Sequence, residues 1–328
     1  MSYSCCYVLT DNKDLKYFNQ MMISLSSLRY TGFKGSVYVV TDNETALLIN
    51  PRHSELSDLS VEIIVVEVEN RFTEKEKSRY LKTSLRKYIR GDTLFLDTDT
   101  IFVSCPPEWI SDDDIAMAYD LNGLKDYNSW HKKVFDQCGF VYQKGQIIFN
   151  SGVIWMRDTE YVHSVFEKWH SFWKELLIRY KMPNDQASLN YLCKNGEITI
   201  ERLDDRFNAQ IRQSYFSPFT LAKAVLFHYN NVFVADPIFP LNDPSIQKID
   251  YRDDRMQKII RDPLAVLPNC RWIKKGSVTD ECLDTQSFKL GLAIFRKHRR
   301  LFSLFEGFSK LLLKTRGLIP KKKHNGSR

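Results

Sequence analysis

The sequence predicts an α/β protein, with a mostly parallel sheet flanked by helices and a basic helical tail behind it. Three observations carry this. Short apolar runs alternate with stretches of helically spaced apolar residues through the first third of the chain, the order of elements that builds a parallel sheet. Thr10-Asp11 and Asp97-Thr98-Asp99 each follow directly on an apolar run, where the carboxyl ends of such strands bind ligands. The charge is divided: of 47 Lys+Arg and 40 Asp+Glu, twelve and one fall in residues 289–328. That leaves 35 bases and 39 acids, a net of −4, for the first 288 residues.

Taken in order, Cys5-Cys6-Tyr7-Val8-Leu9-Thr10 reads as a buried strand. Leu15, Phe18, Met22, Leu25 and Leu28 then mark one face of an amphipathic helix. Strands follow at 36–41 and 61–68. Thr73-Glu74-Lys75-Glu76 is a capping-box pattern that starts a helix running to about Ile89. Thr93-Leu94-Phe95-Leu96 is a fourth strand, closed by Asp97-Thr98-Asp99. A strand is expected at 115–119, then a polar and aromatic connection over 121–145. Residues 146–156 read as a strand interrupted by Asn150-Ser151-Gly152. Val162, Val165, Phe166, Trp169, Trp173, Leu176 and Leu177 predict a helix over 161–180, and a short helix opens with Asp185-Gln186. Strands at 198–203 and 224–229 complete the pattern. The expected division is a catalytic domain over 1–240 (halves 1–104 and 105–240), an extension over 241–288 and the tail over 289–328.

Composition narrows the function classes. With 43% hydrophobic residues, 13 glycines and 11 prolines, a fibrous or disordered chain is excluded. The net positive charge is confined to the tail, and the body is slightly acidic, which argues against a spread-out nucleic-acid surface. Seven scattered cysteines form no CxxC pair and no disulfide framework. The first residues lack a signal-peptide pattern and no apolar run is long enough to cross a bilayer. A cytoplasmic protein is the expectation.

The chemistry concentrates in Leu94-Phe95-Leu96-Asp97-Thr98-Asp99-Thr100. Two carboxylates two residues apart can converge on one Mn²⁺ or Mg²⁺ held jointly with substrate phosphates. The same tripeptide also suits a turn in which Asp caps backbone donors. Two families end a strand this way: haloacid-dehalogenase-like phosphatases, with Asp97 as nucleophile, and nucleotide-sugar glycosyltransferases of the GT-A fold. In the phosphatases the motif closes the first strand, whereas here three strands precede it.

Over residues 3–232 the chain resembles glycosyltransferase family 8 at ordered stations. Val8-Leu9-Thr10-Asp11 with Ser24-Leu25-Ser26-Ser27-Leu28 is similar to that family's opening strand and SxxSL helix. Ser78-Arg79-Tyr80-Leu81-Lys82 supplies the basic residue one helix before the Asp-x-Asp. Phe149-Asn150-Ser151-Gly152-Val153 resembles the FNxG strand, Asp185-Gln186 with Asn190 the DQxxxN segment. Arg206-Phe207-Asn208 resembles the later Asn stop and Phe227-His228-Tyr229 the strand-terminal His.

The resemblance implies a GT-A Rossmann-like enzyme that moves a hexose from a nucleoside diphosphate sugar, above all a UDP-sugar, to a glycan or lipid-linked acceptor with retention. Asp97 and Asp99 supply two metal ligands and the neutral imidazole of His228 a third, although a lone strand His is as readily a core residue. Lys82, or Arg79 one turn earlier, balances the diphosphate, unless both simply line an exposed helix face. Thr98 lies between the acidic pair, and Thr10 and Asp11 are expected at the nucleoside base. Asn150, Asp185 and Gln186 are the sugar-reading candidates; locally, Asn150 also fits a bulge and Asp185-Gln186 an acidic first turn. Asp185 is the carboxylate available for a double displacement, and Gln186 the dipole near the anomeric carbon in a same-face mechanism.

The chain departs from the family after His228, where Tyr229-Asn230-Asn231 replaces the run to Lys-Pro-Trp whose lysine touches the diphosphate. Leucines, phenylalanines and bases interleave in the tail, which suits an anionic membrane surface or a helix packed on the body. The expected enzyme is peripheral on the inner face of a membrane and serves envelope polysaccharide synthesis. A non-catalytic glycan-binding protein on the same fold is the further alternative.

Overall fold

The computed structural model describes residues 3–120, 129–142, 146–211, 224–229, 241, 243, 245, 246, 249–265 and 304. Residues 1–272 make one compact unit and 273–328 a second. The tail expected over 289–328 lies outside the described residues apart from Leu304, as do the chain after His228 from residue 230 to 240 and parts of 121–145.

In the first unit β1 (Ser4–Leu9), α1 (Lys16–Tyr30) and β2 (Val37–Asp42) lead to α2 (Asn43–Ile49), α3 (His53–Asp58) and β3 (Val61–Val66). Next come α4 (Glu74–Thr83), β4 (Thr93–Leu96), β5 (Thr100–Phe102) and β6 (Ile115–Tyr119). They are followed by α5 (Ser129–Gln137), β7 (Phe149–Met156), α6 (Glu160–Tyr180) and α7 (Asp185–Lys194). The described elements end with β8 (Glu201–Arg202), β9 (Ala209–Gln210), β10 (Leu226–His228) and α8 (Asp254–Arg261).

Seven strands form one sheet in the order β3-β2-β1-β4-β7-β6-β8, and β5-β10-β9 form a second. β1 pairs in parallel with both β2 and β4, and β7 runs antiparallel to both its neighbours. The mostly parallel α/β sheet expected from the sequence is therefore present. β1 and β4 are buried along their whole length because helices cover both faces. β3, at the edge, leaves Glu62 and Val65 exposed. The chain order reverses between β1 and β4, so their carboxyl ends flank the crevice of the sheet.

Two inner layers hold this sheet. α1 buries Phe18, Met21, Met22, Leu25 and Leu28 on one side. α6 buries Val165, Phe166 and Trp169 on the other, each worth about 1.5–3 kcal/mol of transfer free energy. The serines of α1 do something the apolar spacing does not disclose. The Thr100 hydroxyl donates to the Asp97 carbonyl (2.9 Å), so Ser24 donates to Thr100 (2.7 Å) and Tyr7 to Ser24 (2.9 Å). Ser27 accepts from the Phe102 amide (2.9 Å). A buried one-way chain of hydroxyls thus ends on the turn between β4 and β5.

Some elements differ from expectation. α4 starts at the expected box, Thr73 and Glu76 exchanging side-chain bonds with each other's backbone, but stops at Thr83. The Thr83 and Ser84 hydroxyls bond back to the Arg79 and Tyr80 carbonyls (2.8 and 2.6 Å), and a 3₁₀ turn follows at Leu85–Lys87. α2 and α3 fill the unassigned stretch between β2 and β3; α2 is capped by Asp42, which accepts from the Glu44 and Thr45 amides. α5 lies in the segment read as a connection, with Val134, Phe135 and Cys138 buried. β7 runs unbroken through Asn150-Ser151-Gly152, with Asn150 bonded to Asp120 and Asn208 and Ser151 to Asp185. The 198–203 run yields only two strand residues. α8 is clasped to α1 by Asn19, which donates to the Ile249 carbonyl (2.6 Å) and accepts from the Tyr251 amide (3.0 Å).

Removing the central hydroxyl tests the chain beneath the turn. Ser24→Ala leaves Tyr7 without its acceptor, and urea unfolding should show a loss of about 1–3 kcal/mol with an unchanged m-value. A midpoint equal to that of the parent protein would mean that the chain does not hold the turn.

Candidate functional site

The site is built on the turn that joins the two sheets. The Asp97 amide donates to the Gly152 carbonyl (2.7 Å) in β7, and the Tyr229 amide, just past β10, donates to the Asp99 carbonyl (3.1 Å). With Thr100 fixing the Asp97 carbonyl, the backbone of Asp97-Thr98-Asp99 is tied to both sheets. The side chains are left to point into the crevice. Thr98, between them, only brushes Gln20 (3.5 Å).

Asp97, Asp99 and His228 each offer one ligand atom, all within 4.8 Å of one another. His228 Nε2 lies 3.2 Å from Asp99 Oδ1, and His228 is buried in β10. Burial and the neighbouring Asp99 charge push the Asp97 carboxyl above the ordinary carboxylate range, against the pull of Lys82 and His228. Such a carboxyl ionises fully when a cation arrives. Gly152 leaves the space: a Cβ there would overlap the His228 ring and stand 2.9 Å from Asp97 Oδ2. Two carboxylate oxygens and an imidazole nitrogen around a cradle kept clear by glycine fit a divalent ion.

Beside the cluster lies a cationic wall. Lys82, 3% exposed, reaches Asp97 Oδ1 (3.0 Å), Asp185 Oδ2 (3.2 Å) and the Ser151 hydroxyl (3.3 Å). Arg79 Nε sits 2.9 Å from Asp185 Oδ1, without the alignment of a hydrogen bond. Burial pushes the Asp185 carboxyl up, yet Lys82, Arg79 and Ser151 overcome it and hold Asp185 well below the ordinary range. Asp185 opens α7, whose first turn is pinned by Asn184 capping Ala187 (2.7 Å) and by the Trp169 indole on the Asp185 carbonyl (3.0 Å). Gln186 follows, its Oε1 accepting from the Ser151 amide (3.3 Å).

The remaining expected residues are placed less openly. Thr10 donates to the Glu74 carbonyl (3.0 Å), tying the end of β1 to the start of α4. Asp11 is buried and accepts from the Phe18 amide (2.6 Å) and the Asn12 amide (2.9 Å), so it anchors the first turn of α1. Asn150 is buried and bonds to Asp120 and Asn208. Lys82, Arg79, Asp97, Asp185 and Ser151 are brought together; Thr10 and Asp11 stand at the neighbouring strand end.

Sequence reasoning passed over Asp120, Ser151 and the role of Asn208. Asp120 had a visible signal, an acidic residue directly after the β6 run, the same grammar that marks Asp97 after β4.

An α/β sheet with an acidic turn at its crevice places the chain in a class, the GT-A glycosyltransferases. Residues 36–231 match the family model described as nucleotide-diphospho-sugar transferase, and the chain belongs to that family. It is therefore a glycosyltransferase acting with a nucleotide-sugar donor, and the phosphatase alternative falls away.

Among solved structures the chain is similar to mouse xyloside xylosyltransferase 1, at 14% identity over 71% of this chain and 100% of that one, TM-score 0.47. It is also similar to galactosyltransferase LgtC in complex with donor and acceptor sugar analogues, at 16% identity over 81% and 98%, TM-score 0.46. The glycosyltransferase GlyE of Streptococcus pneumoniae TIGR4 matches at 14% identity over 84% and 66%, TM-score 0.48. No curated protein matches the chain.

Two outcomes follow from the geometry. Gly152→Ala should cut divalent-ion affinity by at least tenfold and lower the melting temperature, read by Mn²⁺ titration and by calorimetry; an unchanged affinity would refute the cradle. A carboxyl depressed on folding contributes stability that is complete above its unfolded pKa of about 4 and is lost as pH falls toward the folded value. Urea unfolding between about pH 5 and pH 2 should therefore show a shallower acid loss for Asp185→Asn than for the parent protein.

Proposed function

We propose that this glycosyltransferase is metal-dependent and moves a hexose from a UDP-sugar to a glycan or lipid-linked acceptor with retention of configuration. The observation that carries the metal dependence is the convergence of Asp97, Asp99 and His228 around the space left by Gly152. A divalent ion held there supplies charge neutralisation for the departing diphosphate. Lys82 and Arg79 add positive charge from α4 at the same place. This supports their assignment to the diphosphate in a chain that lacks the lysine of the family after His228.

The uridine and the hexose rest on the family 8 resemblance, with Thr10 and Asp11 at the strand end nearest the base. Retention by same-face attack is supported by the state of Asp185. Both its oxygens are engaged by cations, Arg79 on one and Lys82 and the Ser151 hydroxyl on the other. A carboxylate so bound is a poor nucleophile. Gln186, next on α7 with its Oε1 on the strand backbone, is then the residue beside the anomeric carbon, orienting and stabilising charge as a dipole. The basic tail over 289–328 attaches the enzyme to an anionic membrane face, which suits a lipid-linked acceptor in envelope polysaccharide synthesis. No helix among the described residues is long and apolar enough to cross a membrane.

Asp97→Asn and Asp99→Asn should each lower Mn²⁺-dependent hydrolysis of the donor at least a hundredfold while leaving the circular dichroism unchanged. Full activity of the parent enzyme in excess EDTA would overturn the metal role. Removing the residues after Asp284 should release the enzyme from anionic vesicles and preserve donor hydrolysis. Undiminished vesicle binding would remove the tail from the membrane.

A further inference from the structure

Asn150 was expected to read the sugar, yet its amide is spent inside the protein. A primary amide has two N–H donors and two acceptor lone pairs. Here Nδ2 donates to Asp120 Oδ1 (2.8 Å) and toward Gln210 Oε1 (3.5 Å), while Oδ1 accepts from Asn208 Nδ2 (3.0 Å) and from the Gly152 amide (2.9 Å). The chain continues, because Asn208 Oδ1 lies 3.0 Å from His228 Nδ1. Asp120, Asn150, Asn208 and His228 are each buried. They stand on or beside β6, β7, β9 and β10 in turn, so the chain crosses from the seven-stranded sheet to the three-stranded one.

The direction of every bond in this chain is determined. The Gly152 amide is a backbone N–H and can only donate, so the Asn150 atom facing it is the carbonyl oxygen. The nitrogen of Asn150 then points at Asp120, a carboxylate that accepts. Because Asn150 presents an oxygen to Asn208, the Asn208 atom meeting it is its nitrogen. The oxygen of Asn208 is therefore the atom facing His228, and a neutral His228 carries its proton on Nδ1. Its Nε2 lone pair is left facing Asp99 Oδ1 at 3.2 Å. Two acceptors face one another there, the arrangement in which a cation between them is favoured.

We propose that Asp120 and Asn208 are positioning residues which, through Asn150, fix His228 as the Nδ1–H tautomer and so aim its Nε2 lone pair at the metal cluster. This rests on the metal-dependent reading above, and it moves Asn150 from the sugar to the support of the ligand set. Groups that orient a ligating histidine through its other nitrogen are worth about 10–100-fold in metal affinity.

The test is made on the full-length protein freed of metal, with ¹⁵N-labelled histidine at about pH 8, where an ordinary imidazole is neutral. His228 is assigned by difference from His228→Gln. The proposal expects the Nδ1–H tautomer at His228 in the parent protein. It also expects that tautomer to be lost in Asn208→Leu, which removes the acceptor for Nδ1–H. Mn²⁺ affinity, read by electron paramagnetic resonance of the free ion, should fall about 10–100-fold in Asn208→Leu and Asp120→Ala. An Nε2–H tautomer in the parent protein would overturn the proposal whatever the variants do. Folded Asn208→Leu and Asp120→Ala proteins with the parent tautomer and affinity would overturn it too. If the parent shows the expected tautomer but binds no Mn²⁺, the relay stands and the metal reading fails.

Discussion

The structure turns on one close approach, the absence of a side chain at Gly152. Asp97, on the turn that leaves β4, and His228, on β10, reach one another from different elements, and they can share a cluster because nothing fills the space between them on β7. Any other residue at this position would drive the imidazole from the carboxylate. The surrounding structure follows from keeping that gap at fixed dimensions. The Gly152 carbonyl holds the Asp97 amide, and its own amide fixes the orientation of Asn150. One glycine with two backbone bonds thus sets both the distance between the ligands and the way one of them is aimed.

Charge is balanced in the same spirit. Asp97, Asp99 and Asp185 would repel one another in the crevice, and Lys82 and Arg79 stand against them. Burying several carboxylates is costly unless each has a partner. Lys82 serves two of them while its ammonium lies over the Phe95 ring, 5.0 Å from the ring centre. The site is consequently rich in opposed charge, with the buried Arg79 Nε facing Asp185 without a hydrogen bond.

Much of this was legible in the sequence. The strands through Leu96 and the helices α1, α6 and α7 follow directly from continuous apolar runs, helical spacing and capping residues, which are local signals. The acidic pair was legible for the same reason, since a strand end followed by Asp-x-Asp is written in consecutive residues. What escaped was either short or remote. α2 and α3 are too short for periodicity to register, and α8 shows only three buried residues, Met256, Ile259 and Ile260. The anchoring of α1 by Asp11 was not legible because the amide it accepts from, that of Phe18, lies seven residues on. The hydrogen bonds of Asn150 could not be read in the sequence either, because its partners, Asp120 and Asn208, are 30 and 58 positions away. Hydrogen-bond direction in a buried network is a property of the fold and has no trace in a single sequence.

The pairing of β10 with β5 joins His228 to Thr100 across a long stretch of chain. Contacts so remote in sequence form late, after local elements have collapsed. On the ribosome, the acidic turn emerges long before the strand that carries the histidine. A nascent chain therefore displays two carboxylates and a lysine without the histidine, and the cluster of Asp97, Asp99 and His228 is complete only once the small sheet closes.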